Sequence, residues 1–132
     1  MKTTFMTSLL AGAAVLGASM AMQTTTVSAA NFSCSTAKII VPWGAGGGTG
    51  VIFGTFEKTI NAMGVKPALK MVTIPGAGGT KGAKEAQKAK ADGCTLFAIH
   101  QSVLVNNIMG SLKFNWDAFD TVAMVTDTPE II

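Results

Sequence analysis

The sequence predicts an α/β fold organised as a mostly parallel β-α-β-α-β sheet. Three observations predict it. Short apolar runs alternate with stretches of helical periodicity, as in a parallel sheet with helical crossovers. A glycine-rich loop follows each of the first two apolar runs and precedes a helix. The first of these loops, Pro42–Thr49, has an echo at Pro75–Thr80, one strand-helix-strand unit later.

The chain has 132 residues, enough for one modest domain. Residues 1–30 have the layout of a cleaved secretory signal peptide. Lys2 gives a positive start, and Phe5 to Met22 is apolar or small except for Thr7, Ser8 and Ser19. Small residues at Val27 to Ala30 then offer a cleavage site. The apolar core is short and rich in alanine and glycine, and it lacks a basic flank, which disfavours a membrane anchor. Residues 31–132 are the expected folded part.

Lys38 to Trp43 (KIIVPW) reads as a buried strand with Pro42 near its end. Beyond the loop, Ile52, Phe53, Phe56, Ile60 and Met63 recur at helical spacing. Thr49 is the expected N-cap of that helix and Gly64 its stop. Ala68 to Ile74 is the second strand. A lysine- and alanine-rich helix is expected from about Thr80 to Ala91, ended by Asp92 and Gly93. Cys94 to Ile99 forms the third strand, Ser102 to Met109 a short helix, and Thr121 to Val125 a fourth strand.

Right-handed crossovers place all the strand-to-helix loops at one edge of the sheet, the C-terminal ends of the strands. Both glycine loops then converge with His100, Gln101 and Ser102, which follow the third strand. Cys34 and Cys94 precede the first and third strands and so belong to the opposite edge. If those strands pair, a disulfide between them is feasible, and an exported chain meets the oxidising conditions that permit it. Two cysteines and one histidine make a poor metal site.

Net charge is +3, and all ten basic residues are lysines. Without arginine, or aromatics set among the basic residues, nucleic-acid binding is not expected. Lys81, Lys84, Lys88 and Lys90 read as a solvated helix face. The absence of arginine also removes the usual bidentate carboxylate clamp, which leaves backbone amides, hydroxyls and lysine to hold an anion. A phosphate loop fails on sequence. Gly46 to Gly50 contains no lysine, Lys81 is followed by Gly82, and the dinucleotide pattern meets Thr49 or Lys81 where its last glycine should stand. No nucleophile elbow is present, and His100 has no evident acidic partner in sequence. Neither an enzyme nor a cofactor is expected. Two matched loops of free amides at helix starts suit plain anion capture. The competing possibilities are an α/β nucleotide-binding fragment of an exported enzyme, and glycines that serve only tight turns and packing.

The succession IIVPWGAGGGTG, PGAGGTKGA, KADGCTL and FNWDAFDTVAMV resembles the extracytoplasmic solute receptors of tripartite tricarboxylate transporters, the Bug family. The resemblance runs from Lys38 to about Pro129. It implies a periplasmic-binding-protein-like (type 2) lobe, a small di- or tricarboxylate or related acid as ligand, and a two-component membrane permease as partner. It implies no catalysis and a periplasmic location. Carried onto this chain, Pro42, Trp43, Gly44, Ala45, Gly46, Gly47, Gly48 and Thr49 would form one carboxylate loop. Pro75, Gly76, Ala77, Gly78, Gly79 and Thr80 would form the other, with Ser102 adding a hydroxyl. His100 is a candidate ligand contact, and Lys81 either supplements the amides or is a solvated lysine. Four departures stand out, one of them Lys81 itself, which stands where an apolar residue is common in the family. Gly50 occupies a place where the family often carries an aspartate tied to ligand selectivity. Cys94 replaces a usual aromatic. The chain also stops short of a second lobe, so an incomplete N-terminal portion is expected.

Overall fold

The computed structural model describes residues 32–127. The expected signal peptide lies outside them. The fold is α/β, an open three-stranded parallel sheet with helices, in the strand order β2-β1-β3. β1 spans Thr36–Val41, α1 Gly48–Ala62, β2 Ala68–Thr73, α2 Thr80–Gln87, β3 Thr95–Phe97 and α3 Ser102–Ile108. Short 3₁₀ turns occupy Ala77–Gly79 and Trp116–Ala118.

β1 is central because it is the most apolar run, and a strand flanked on both sides must bury both faces. Ala37, Ile39, Ile40 and Val41 are all buried. Its register aligns Ile39 with Met71 of β2 and with Leu96 of β3. Alternation along the strands divides the apolar side chains into two clusters. Ile39, Val41 and Ala98 pack with Phe53 of α1, Leu69, Met71, Leu96 and Trp43. Ala83 of α2, Val103 of α3 and Leu112 pack with Phe97 and Phe114.

The strand begins two residues earlier than expected, because Thr36 and Ala37 find partners in Ala68 and Leu69. It stops before Pro42, which has no N–H to offer the ladder. α1 ends where predicted: Met63 is its C-cap, and Gly64 follows at φ +71°, the left-handed residue that closes many helices. Its start is a correction. Gly47, in extended conformation, is the N-cap, and Thr49 sits inside the first turn without capping it.

Two further expectations are corrected. α2 ends at Gln87 rather than Ala91, because the chain must reverse into β3. Ala89 N–H bonds the Ala86 carbonyl in a last tight turn, Gly93 takes φ +76°, and the Asp92 carboxylate accepts the Cys94 N–H at 2.9 Å. Thr121 to Val125 forms no strand. It has no ladder partner, and an isolated strand leaves its backbone groups to water.

At the N-terminal edge of the sheet, Cys34 and Cys94 form a disulfide with their Cα atoms 6.0 Å apart. Lys38 N–H donates to the Cys94 carbonyl beside it, so the cross-link lies next to the point where β3 first meets β1.

Candidate functional site

Three loops leave the C-terminal edge of the sheet, one from each strand. β1 leads to β2 on one side and β3 lies on the other, so the strand order reverses between β1 and β3. In open α/β sheets a crevice forms at such a place. Loop 1 is Pro42–Gly47, loop 2 is Ile74–Gly79, and loop 3 is Ala98–Gln101.

Loop 1 folds back on the helix it feeds. Gly47 N–H donates to the Gly44 carbonyl at 3.0 Å, and Val51 N–H is the first helical amide to reach an acceptor, the Gly47 carbonyl at 2.9 Å. The amides before Val51 in α1 have no acceptor in the preceding turn of helix. A Cβ at Gly50 would lie 2.5 Å from the carbonyl oxygens of both Gly44 and Ala45. Those oxygens are therefore turned inward, onto the first turn of α1. No side chain fits at position 50, where the loop carbonyls rest. Gly44, Gly46 and Gly48, by contrast, have open space where a Cβ would stand.

Loop 2 has an unusual backbone. Gly76, Ala77, Gly78 and Gly79 take φ values of +130°, +49°, +62° and +88° in succession. Three of the four are glycine, the residue that adopts this region without steric cost. Ala77 alone bears a side chain there, and only surrounding structure holds such a conformation in place.

That surrounding structure comes from the other two loops. The place of a Gly79 Cβ lies 3.4 Å from the Trp43 ring, 3.5 Å from the Ser102 hydroxyl and 3.6 Å from Pro42. Gly82, just inside α2, has the Ile74 carbonyl and Pro42 at 2.9 Å from its Cβ position, so only glycine lets α2 start so close to the sheet. Trp43 and His100 meet edge to face, with ring centroids 6.0 Å apart. His100 is exposed, and its Nδ1 makes a long 3.5 Å contact with the Ser102 N–H.

Asn106 is the residue that sequence reading missed. Its Nδ2 donates to the Gly78 carbonyl at 2.9 Å and to the Ser102 carbonyl at 2.7 Å, tying loop 2 to α3. The available signal was its spacing: four residues after Ser102 on a helix, it returns to the same face.

Pro42, Trp43, Gly79, Thr80, Ser102 and His100 are thus brought together, with Pro42, Gly79 and Thr80 buried. Gly44, Ala45, Gly46, Gly47, Gly48, Pro75, Gly76, Ala77 and Gly78 form an exposed rim, with Thr49 half-buried inside it. Lys81 is exposed, and its stem lies back over Gly76, with Cδ 3.6 Å from the place of the absent Cβ. Among the described residues, the Trp43 Nε1 is a buried donor without an acceptor. No acidic side chain belongs to any of these loops. Such a cluster can bind a small anion through amides, a hydroxyl and an ammonium. It holds no nucleophile and base in bonding contact, and no group of metal-ligating side chains occurs among the described residues.

Comparison with family models, with curated proteins and with solved structures finds no match to this chain.

Proposed function

We propose that the chain is the ligand-binding portion of an exported receptor for small carboxylates, which it delivers to a two-component membrane permease from the periplasm. The observation that carries the reading is the abutment of two glycine loops, each opening a helix, at one sheet edge. Trp43 and Pro42 of the first lie 3.4 Å and 3.6 Å from where a Cβ of Gly79 in the second would stand. The start of α1 offers unpaired amides, the Thr80 N–H at the start of α2 is taken by the Ala77 carbonyl, and both starts present the positive end of a helix dipole, which favours negative charge. A dicarboxylate matches two such starts better than a monoanion does. Glycine removes the Cβ that would keep a ligand from the backbone. The order of motifs, which resembles that of the Bug receptors, supports the same reading. With no arginine in the chain, affinity here rests on amides, with Ser102 and Lys81 as side-chain donors.

Thermal denaturation and calorimetric titration with citrate, succinate, acetate and ATP test this proposal. Stabilisation by the di- and tricarboxylates, reduced by Ser102→Ala and by Gly79→Ala, is the expected result. Stabilisation by ATP alone, or by none of the four, rejects it.

A further inference from the structure

The turn between α2 and β3 carries a reactive pair that plays no part in the glycine loops. Asp92 is followed by Gly93, and nowhere else in the chain does glycine follow an aspartate or an asparagine. Both residues are exposed. In such a pair the glycine nitrogen is a nucleophile for the aspartate carboxyl carbon, because no Cβ stands beside it. No hydrogen bond takes the Gly93 N–H among the described residues, which leaves it free to react. Asp117, Asp120 and Asp127 precede alanine or threonine, whose side chains crowd the same approach.

The reaction needs no partner but water. The Gly93 nitrogen bonds to Cγ of Asp92 and releases its proton, a carboxyl oxygen leaves as water, and a five-membered succinimide closes. Water then reopens the ring. Attack at the main-chain carbonyl breaks its bond to the Gly93 nitrogen and frees it as a carboxylate. The chain now runs through Cβ and Cγ of residue 92, an isoaspartyl link one carbon longer than the original backbone.

The fold leaves no slack for that carbon. Asp92 Oδ1 accepts the Cys94 N–H at 2.9 Å, the two-residue reach of an Asx turn. The Cys94 carbonyl accepts the Lys38 N–H at 2.9 Å, and the Cys94 sulfur is bonded to Cys34. Cys94 is thus anchored to β1 through its carbonyl and to the chain before β1 through its side chain. Phe32 lies across the same turn, with ring atoms 3.0 and 3.1 Å from where a Cβ of Gly93 would stand. A longer backbone between Asp92 and Gly93 has to move Cys94 or Phe32, and the cross-link ties both to one point.

We propose that Asp92–Gly93 is a site of intramolecular isomerisation that the Cys34–Cys94 disulfide keeps closed. With the disulfide formed, the anchored turn does not take up the extra carbon. Without it, the turn opens as a local unit while the rest of the fold stays intact, and the link isomerises. The product persists after the thiols are oxidised again, so it records time spent without the cross-link. The inference is independent of what the glycine loops bind.

Incubation in neutral buffer followed by peptide mapping for isoaspartate tests the proposal. The samples are the oxidised protein, the protein held reduced with a dithiol, and the Cys34→Ser/Cys94→Ser variant. Isoaspartate at residue 92 is expected to accumulate roughly ten-fold or more faster in the last two. Asp92→Glu, whose longer side chain does not close the five-membered ring, should yield none there. Gly50→Ala controls for general loosening, because it disturbs loop 1 at the opposite edge of the sheet and leaves the cross-link in place. It should isomerise as slowly as the oxidised parent. Equal rates with and without the cross-link overturn the proposal, as does a Gly50→Ala protein that isomerises as fast as the reduced one.

Discussion

Gly50 decides what kind of loop this chain can have. Two carbonyl oxygens lie 2.5 Å from its Cβ position, closer than real Cβ contacts permit, and both are backbone. Gly50→Ala is therefore predicted to destabilise the fold by about 1–3 kcal/mol, the usual cost of forcing atoms into a filled space. In a melting experiment each kcal/mol should appear as a fall of roughly 4–8 °C. Gly50→Asp should cost at least as much and bring no affinity for amine-bearing ligands, because the loop must first be displaced to admit the side chain. A Gly50→Asp protein that melts like the parent would show that loop 1 does not rest on α1 in solution. From sequence, the glycine reads as an absent functional group. The contact that requires it depends on how loop 1 folds back, and no periodicity reports that.

Asn106 links two elements that are distant in sequence, and its worth is measurable. Aspartate is close to the same shape but cannot donate, so Asn106→Asp sets a carboxylate against the carbonyls of Gly78 and Ser102. A loss of about 1 kcal/mol is expected, the ordinary worth of a hydrogen bond, since the bond to Gly78 is exposed and that to Ser102 only part-buried. Amide exchange in Gly78–Thr80 should quicken while that of β1 stays slow. Equal acceleration in both places would instead mean that Asn106 supports the whole fold. At this scale most of the chain was legible in its sequence. Short apolar runs located β1, β2 and β3, the helical spacing of apolar residues located α1, and a lysine- and alanine-rich composition located α2. The misjudged ends were those set by tertiary contact. α1 begins two residues earlier than a Thr49 cap would start it, because loop 1 packs on its first turn. Thr121–Val125 has the residues of a strand, but a strand exists only with a neighbour, and composition does not supply one. The convergence of the three loops followed from the crossover rule, whereas their mutual contacts through Trp43, Gly79 and Asn106 did not.

Across the whole molecule the disulfide is the longest-range constraint. Cys34 and Cys94 are 60 residues apart and enclose β1, α1, β2, α2 and the turn before β3. Closing a loop of that length removes unfolded-state entropy equivalent to about 4 kcal/mol in the chain-entropy treatment. Replacing both cysteines by serine should lower stability by that order in chemical denaturation, and a loss below about 1 kcal/mol would show that the native contacts between β1 and β3 suffice without it. Non-reducing mass analysis gives the complementary check, since the intact cross-link lowers the mass by the two hydrogens removed on oxidation. The described residues hold no free cysteine. With only two cysteines in the chain, one intramolecular pairing exists, and there is no wrong partner within the molecule to correct. Maturation of this protein therefore calls for an oxidant but not for a shuffling catalyst. The only mispairing open to it is between molecules, which makes dilution, rather than proofreading, the condition for a uniform product.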